Sequence, residues 1–298
     1  MKHIGKSYDK VDAKGILSGK PSYTGDFVPK DALIIKVLRS PHAQAKIKSI
    51  DTSTAKLIPG VEAIFTYEDV PNTRFTLAGQ TYPEPSAYDA LILDPVVRYV
   101  GDEVALVVAK DEATALKAMP LIKVEYELQK PVLDLRTAMD HETVVHPEDD
   151  ILNHIPVGQD YKRNICVSYH KRVGDIEGEL AKCDYVVEGT YFDQATRQSA
   201  MEPFQSFGYI DHLGRIVIVS STQIVFHVRR HIARALGIPA SKIRVIKPRI
   251  GGGFGSKQTA CTELMTAFVT WKLQKPCYLL YDRTEAQTCS TTRHAREW

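Results

Sequence analysis

Hydrophobic residues follow two different periods along this chain, and together they predict a mixed α/β protein. Runs of β-branched and apolar residues predict strands at 33–39, 47–51, 61–67, 104–109, 122–126, 185–191, 205–210, 216–221 and 243–247. Apolar residues at intervals of three and four predict helices at 112–119, 223–236 and 258–272, with a weaker helical pattern at 176–182. Strands and helices alternate, which is typical of the α/β class.

Proline, glycine and acidic residues divide this pattern into two regions. Residues 104–126 form a predicted strand, helix and strand, with Asp111 as the helix N-cap. An acidic stretch with several prolines follows, and it predicts a connection. We therefore expect one domain at 1–135, a connection at 136–155 and a second domain at 156–298. Residues 72–94 predict a long irregular loop, and loops of that length are often functional.

Composition narrows the class of protein. The 298 residues are 44% hydrophobic and 25% charged, which is ordinary for a soluble globular protein. A net charge of +2 gives no reason to expect nucleic acid or a membrane surface as the partner. We expect no signal peptide, because no apolar run follows the N-terminal charges, and no membrane helix, because no run of about 18 apolar residues exists.

The cysteines also favour an ordinary cytoplasmic protein. No C-x-x-C pair occurs, which argues against a disulfide framework, a zinc site or an iron–sulfur cluster in this chain. Scattered reduced thiols suit the cytoplasm. We expect all five to be buried as small hydrophobic side chains: Cys166, Cys183, Cys261, Cys277 and Cys289.

The richest candidate for chemistry is the glycine loop, residues 249–257, with the sequence RIGGGFGSK. It lies between a predicted strand and a predicted helix, so its backbone N–H groups and the helix N-terminus could approach an anionic ligand. A P-loop requires Gly-Lys-Ser/Thr, but here Lys257 follows Ser256. A dinucleotide fingerprint also fails on spacing. On glycine content alone, a tight turn without a ligand remains an equal alternative.

Motifs along nearly the whole chain resemble one known family. They are 220–223 (SSTQ), 236–239 (LGIP), 251–257 (GGGFGSK), 99–109 (YVGDEVALVVA), 124–127 (VEYE), 198–203 (QSAMEP), 39–42 (RSPH) and 293–294 (RH). These motifs, in their order along the chain, resemble the molybdenum-binding subunit of the xanthine dehydrogenase and aldehyde oxidase family, closest to bacterial xanthine dehydrogenase-like subunits. The resemblance implies an α/β hammerhead domain followed by the beginning of a molybdopterin-binding domain.

The resemblance also implies a reaction, cofactors and partners. Members of this family hydroxylate an N-heterocycle, such as hypoxanthine or xanthine, or an aldehyde, with water as the oxygen source. The implied cofactor is molybdenum-molybdopterin, in its cytosine dinucleotide form. Electrons would leave to [2Fe-2S] clusters and FAD on partner subunits. We therefore expect an iron–sulfur subunit, an FAD subunit, the remaining part of the molybdenum subunit and an oligomeric assembly.

Individual site residues follow from the same resemblance. Gln223 matches a glutamine whose amide donates to an oxygen ligand of molybdenum, and a polar residue that merely starts a helix is its alternative. The cofactor loop corresponds to Gly252, Gly253, Phe254 and Gly255. Gln258 stands where animal xanthine-oxidising relatives carry a substrate-binding glutamate, so the substrate stays open.

The resemblance places the family's catalytic glutamate beyond Trp298. We therefore expect no catalytic base in this chain, and no hydroxylation by the chain alone. Glu202 and Glu263 are the nearest carboxylates, and structural roles are expected for both. The chain would be a split subunit, an interrupted gene product or an engineered fragment. Its alternative function is that of a cofactor-free fragment without activity, whereas the failed loop spacings weaken a stand-alone nucleotide-binding module.

Overall fold

A computed structural model describes residues 3–20, 22–79 and 81–298. Its strands are β1 (Leu33–Arg39), β2 (Ala45–Asp51), β3 (Val61–Phe65), β4 (Val96–Val97), β5 (Glu103–Ala109), β6 (Lys123–Leu128), β7 (Phe192–Asp193), β8 (Gln205–Ile210), β9 (Ile216–Ser220), β10 (Ile243–Ile246), β11 (Cys277–Leu280) and β12 (Arg296–Glu297). Its α-helices are α1 (Ala13–Leu17), α2 (Ser53–Lys56), α3 (Glu112–Ala118), α4 (Ile176–Leu180), α5 (Val225–Leu236), α6 (Glu263–Leu273) and α7 (Arg283–Thr288).

Seven strands form one mixed sheet that contains both predicted regions. Their order is β10-β9-β8-β11-β1-β5-β3, and β11 pairs in parallel with β1 at the centre. Strands from residues 33–109 and strands from residues 205–280 therefore share one hydrogen-bond ladder. The sheet gives no boundary between the two regions, so the limits 1–135, 136–155 and 156–298 stay a prediction. A second sheet, of order β4-β2-β6, lies within the first region.

The main hydrophobic core lies where α5 and α6 pack against the large sheet. α6 is buried over most of its length, and its side chains Phe268 and Ala267 are fully buried. α5 is amphipathic and buries Val228 and Ile232 in the same cluster. A helix that is apolar all round belongs in an interior, whereas an amphipathic one covers it. These two helices hold the ends of β9 and β10 in place.

Many of the predicted elements agree with the structure. The strands predicted at 33–39 and 205–210 have those bounds, and 212–215 forms the predicted hairpin turn between β8 and β9. Asp111 caps α3, because its carboxylate accepts a hydrogen bond from the backbone of Thr114 at 2.8 Å. Gly237 ends α5 with φ of 64°, in the left-handed region.

The predicted start of the last long helix is wrong. α6 begins at Glu263, five residues after the predicted residue 258, and Gln258 lies in a 3₁₀ turn at Ser256–Gln258. Thr259 is extended, so it breaks the helical path after that turn. The helix N-terminus therefore does not follow the glycine loop directly, and the predicted anion site at that helix end is not formed.

The strand predicted at 185–191 is also absent. Only Phe192–Asp193 pairs, with Arg296–Glu297, and the side chains of Tyr185 and Val187 are 91% and 89% exposed. A strand needs a neighbouring strand to satisfy its backbone. Among the described residues, only Tyr191, at the end of this range, has such a partner: it exchanges two backbone hydrogen bonds with Trp298, at 3.1 and 2.9 Å. Strand propensity without a partner thus produces an extended, exposed stretch.

Burial of the cysteines is confirmed only in part. Cys277 and Cys289 are buried and Cys261 is half-buried, but Cys166 and Cys183 are exposed. The two exposed thiols lie in residues 164–192, where side chains reach few core residues. All five are free thiols. Among the described residues, no helix is both long and apolar enough to cross a membrane.

Candidate functional site

The candidate site lies at the edge where β9 and β10 end. The two strands are parallel and in register, with Ile246 opposite Val219, so the segments that follow them leave the same edge of the sheet. The backbone N–H of Gln223, after β9, donates to the carbonyl of Lys257, in the loop after β10, at 2.8 Å. This bond joins the two segments that the sequence predicts to form the site.

Gly253 lies directly against the side chain of Gln223. A Cβ added at Gly253 would be 2.6 Å from Oε1 of Gln223 and 3.0 Å from its Cδ. Any side chain at this position would therefore displace the carboxamide. Gln223 itself is exposed, and among the described residues its carboxamide has no hydrogen-bond partner. The structure thus presents a neutral amide, free to donate, beside bare backbone.

The glycine loop has an unusual backbone over its last half. Gly252, Phe254 and Gly255 have φ values of 99°, 52° and 93°, all in the left-handed region that favours glycine. For Phe254 this conformation is uncommon, and its ring is 66% exposed. No atom lies within 4 Å of a Cβ placed on Gly255. The loop therefore presents an aromatic ring next to an open strip of backbone.

A buried ion pair between Lys257 and Glu202 connects the glycine loop to the segment before β8. Lys257 is 2% exposed, and its Nζ donates to Oε2 of Glu202 at 2.8 Å. The same oxygen accepts from the backbone N–H of Gly251 at 2.7 Å, and the backbone N–H of Glu202 donates to the Gly251 carbonyl. Burial lowers the pKa of Lys257, while Glu202 acts in the opposite direction. These contacts give Glu202 the structural role that the sequence predicts.

Glu263 has a similar structural role at the start of α6. One carboxylate oxygen accepts from the hydroxyl of Ser220 at 2.6 Å, and the other accepts from the backbone N–H groups of Cys261 and Thr262. Burial raises the pKa of Glu263, and these hydrogen bonds limit that rise. The carboxylate therefore ties the end of β9 to the beginning of the helix.

Gln258, the predicted substrate residue, directly follows the glycine loop in the chain and is half-buried. Its backbone N–H donates to Gly255 at 3.2 Å, and its carbonyl lies against Gly79. Gly79 belongs to the irregular segment 72–94, whose contact with this region no motif indicated. In the sequence, only the length of the irregular segment indicated that it could have a functional role.

These features suit a large cofactor better than a bare metal ion. Across the described residues, no group of three or more His, Cys, Asp and Glu side chains could hold a metal ion. A metal here would need ligands that an organic cofactor brings. Bare backbone at Gly253, the Gln223 amide and the exposed Phe254 ring offer close approach, a neutral donor and an apolar surface. The residues present therefore fit a molybdenum cofactor.

Comparison with known families identifies both regions. Residues 18–130 match the family model for the aldehyde oxidase and xanthine dehydrogenase a/b hammerhead domain. Residues 157–298 match the family model for a molybdopterin cofactor-binding domain. The chain belongs to the xanthine dehydrogenase and aldehyde oxidase family. Its mixed α/β fold is thus a hammerhead domain followed by molybdopterin-binding residues, as the sequence predicts.

Several members of this family are similar over nearly the whole chain. The probable hypoxanthine oxidase XdhD of Escherichia coli (strain K12) is 39% identical over 98% of this chain. The putative xanthine dehydrogenase molybdenum-binding subunit XdhA of the same strain is 36% identical over 96%. The nicotinate dehydrogenase large molybdopterin subunit of Eubacterium barkeri is 30% identical over 98%, and the chain spans 64% of it. The chain spans 33% of XdhD and 37% of XdhA.

Solved structures of the family have the same fold. Quinoline 2-oxidoreductase from Pseudomonas putida 86 superposes with a TM-score of 0.78 at 29% identity, covering 95% of this chain and 35% of that one. The aldehyde oxidoreductase from Desulfovibrio gigas superposes with a TM-score of 0.81 at 25% identity, covering 98% of this chain and 32% of that one. These family members confirm the mixed α/β architecture that the sequence predicts.

Proposed function

We propose that this chain contributes the hammerhead domain and the glycine-loop side of the cofactor site to a molybdenum hydroxylase. The observation that carries the proposal is the contact between Gly253 and Gln223, where an added Cβ would be 2.6 Å from the amide oxygen. Because Gly253 has no side chain, a bulky ligand could reach both its backbone and the exposed carboxamide of Gln223. Family membership supplies the identity of that ligand as a molybdenum cofactor.

Each loop residue has a distinct part in this proposal. The Gln223 amide would donate a hydrogen bond to an oxygen ligand of the metal without adding charge. Gly252, Gly253 and Gly255 let the cofactor approach the backbone, and the Phe254 ring packs beside it. When bound, the molybdenum cofactor supplies the oxygen atom taken from water and accepts the substrate's electrons. We propose the cytosine dinucleotide form of the cofactor.

For the substrate we propose an electron-poor N-heterocycle, with a purine such as hypoxanthine as the first candidate. The names of XdhD and XdhA refer to hypoxanthine and xanthine, and both are more than 35% identical to this chain. Gln258 would contact the substrate, because an amide both donates and accepts and so matches the edge of a heterocycle. An aldehyde substrate, as named for the Desulfovibrio gigas relative, is the second candidate.

The complete reaction would require further polypeptide segments and subunits. We propose the remaining part of the molybdenum subunit, which supplies the catalytic base, together with an iron–sulfur subunit and an FAD subunit that carry electrons away. The chain spans 33% of XdhD, so most of that relative's length lies outside the part matched by this chain. The assembly would be cytoplasmic and oligomeric. A cofactor-free fragment without activity is the competing proposal, and molybdenum content after purification of the assembly distinguishes the two.

The test replaces Gln223 in the assembled, molybdenum-loaded enzyme. Gln223→Ala removes one preorganised donor, so we expect kcat for hypoxanthine to fall by about 10²–10³, with little change in Tm. Gln223→Glu would be worse, because a carboxylate cannot donate and would repel an oxygen on the metal. Gln129→Ala, at an exposed glutamine after β6, is the control and keeps native kcat.

Comparison at matched molybdenum loading is essential to this test. A near-native kcat in both Gln223 variants would show that Gln223 only starts a helix. A loss of activity that simply follows a loss of Tm would show the same. Wild-type assembly that never retains molybdenum would favour the inactive fragment.

A further inference from the structure

One face of helix α5 carries a stripe of polar side chains that contacts the irregular segment between β3 and β4. Residues spaced three and four apart on a helix share one face. On α5 these are His227, Arg230, His231 and Arg234. We call the described residues of 74–88, which are 74–79 and 81–88, the crossing loop, because they contact this stripe between β3 and β4. Of these four polar side chains, His231 is buried, His227 and Arg230 are half-buried, and Arg234 is exposed.

Both ends of the crossing loop contact the helix. The Arg234 side chain donates from Nε to the carbonyl of Arg74 at 2.6 Å, and its guanidinium lies 4.5 Å over the Tyr88 ring. Nearer the middle, Nε2 of His227 is 3.0 Å from the carbonyl of Thr81. Among its described residues the loop forms no helix or strand, only isolated β-bridges at Phe75 and Tyr88, so these side-chain contacts help to hold its path.

Glu84 is the centre of this attachment. Its carboxylate is 1% exposed, accepts from the Tyr88 hydroxyl at 2.9 Å, and accepts from Nη2 of Arg230 at 3.1 Å. Nε2 of His231 lies 3.7 Å from the same carboxylate. Such a carboxylate fixes geometry, because loss of Arg230 would leave a buried charge unpaired and loss of the Tyr88 hydroxyl would leave a buried oxygen without its hydrogen bond. The buried Glu84 side chain therefore attaches the crossing loop to α5.

The backbone of the crossing loop lies against the candidate site. A Cβ on Gly79 would be 2.4 Å from Cδ1 of Ile224 and 2.7 Å from the carbonyl oxygen of Gln258. The Ala260 N–H also donates to the Leu77 carbonyl at 3.4 Å. Gly79 is thus in close contact with the residue next to Gln223 and with the proposed substrate residue. The crossing loop forms a wall beside Gln258.

We infer that Glu84 is a positioning residue for substrate binding: it fastens the crossing loop to α5 and so places the Gly79 wall beside Gln258. This inference rests on the proposed function, since it assigns the substrate region to Gln258. Glu84 lies outside every motif of the family resemblance, and it acts only through the loop. Loosening it should therefore change substrate binding more than the chemical step.

The first measurement is hydrogen exchange on the 298-residue chain. Glu84→Gln replaces a carboxylate by a neutral amide that forms no ion pair with Arg230, so the crossing loop should open more often. We expect exchange of the Phe75 and Tyr88 amides, which are bonded at 3.0 and 2.9 Å, to accelerate about tenfold. Tyr88→Phe removes one hydrogen bond and keeps the ring, so it gives a smaller change in the same direction if Glu84→Gln fails to fold.

Glu285→Gln is the matched control. That carboxylate is also shielded from water and pairs with Arg39 at 3.2 Å, but it lies in the cap of α7. Its loss can lower Tm without changing exchange in the crossing loop. Unchanged exchange of the loop amides in Glu84→Gln would overturn the inference.

The second measurement uses the assembled, molybdenum-loaded enzyme with hypoxanthine. For Glu84→Gln we expect KM to rise about fivefold while kcat stays within about twofold, which is the pattern of lost substrate positioning. A native KM in Glu84→Gln, with normal wild-type turnover, would overturn the inference and leave the proposed function standing. A wild-type assembly that does not hydroxylate any N-heterocycle would overturn the proposed function, and the inference about substrate with it.

Discussion

Gln223 and Gly253 show how a missing side chain can shape a site. The atom that a Cβ on Gly253 would meet first is Oε1 of Gln223, the far end of a flexible side chain. Such an atom can rotate away at little cost to the fold. A small substitution can therefore displace the amide while the protein stays folded, which separates function from stability at one residue.

We predict that Gly253→Ala moves the Gln223 amide and lowers molybdenum retention in the assembled enzyme to less than about half, with a Tm near that of the wild type. The reason is steric, since the new methyl carbon would lie 2.6 Å from the amide oxygen, closer than van der Waals contact allows. Metal analysis and thermal unfolding check this. Gly15→Ala is the control, because its nearest neighbour would be 3.8 Å away. Native molybdenum content in Gly253→Ala would contradict the proposed cofactor contact.

At the scale of elements, α5 joins three parts of the site. It begins two residues after Gln223, packs Val228 and Ile232 into the core, and holds the crossing loop by its polar stripe. His231 is the buried member of that stripe, 3% exposed, and neither of its ring nitrogens has a hydrogen-bond partner among the described residues. Burial lowers the pKa of His231 to about 4, although Glu84 acts in the opposite direction.

This low pKa predicts a pH dependence of stability. His227 and Arg230 also lower the pKa of His231, so only Glu84 favours its charged form. Because the unfolded chain binds the proton near pH 6.5 and the folded chain only near pH 4, the free energy of unfolding rises with pH between these values. The destabilisation is fully present below about pH 4 and absent above about pH 6.5. Its size is about 3 kcal/mol.

Denaturant unfolding between pH 4 and 7 measures this effect as a difference between variants. His231→Gln cannot take up the proton, so its curve should be flatter than that of the wild type by about 3 kcal/mol. His212→Gln, on the exposed turn between β8 and β9, should keep the wild-type slope. Parallel curves for the wild type and His231→Gln would show that His231 is not held neutral.

For the whole molecule, the seven-stranded sheet is the feature that decides cooperativity. β1 lies between β11 and β5, so residues from both predicted regions depend on each other's hydrogen bonds. An isolated 1–135 segment would leave the β11 side of β1 unpaired, which is a liability for folding and solubility. We therefore expect the two regions to unfold together.

We predict that Leu279→Ala lowers the Tm of a single transition rather than that of one of two. Leu279 is fully buried in β11, so its truncation should cost about 2–5 kcal/mol. Leu280→Ala, at the next position on the opposite face, is 39% exposed and should cost much less. Calorimetry and circular dichroism measure both variants. Two separate transitions, only one of which responds to Leu279→Ala, would show independent domains.

The sequence by itself determined the class of fold, the family and most of the regular elements. Strands such as β1 and β8, and the end of α5 at Gly237, follow from local patterns whose physical basis lies within a few residues. The motif spacing from Gln223 to the glycine loop also pointed to one site, because the two segments follow neighbouring strands. The roles of Gln258 and the loop glycines stay predictions.

Only the tertiary structure decided the features that depend on contacts between distant residues. The strand predicted at 185–191 is absent because, among the described residues, only its last residue, Tyr191, has a backbone partner. Cys166 and Cys183 are exposed because most of the described residues around them are exposed too. The late start of α6 at Glu263 depends on the turn that follows the glycine loop. The lock at Glu84 joins residues 146 positions apart in the chain. Local sequence carries no record of such partners, since hydrogen bonding and burial are decided by what the rest of the chain brings near.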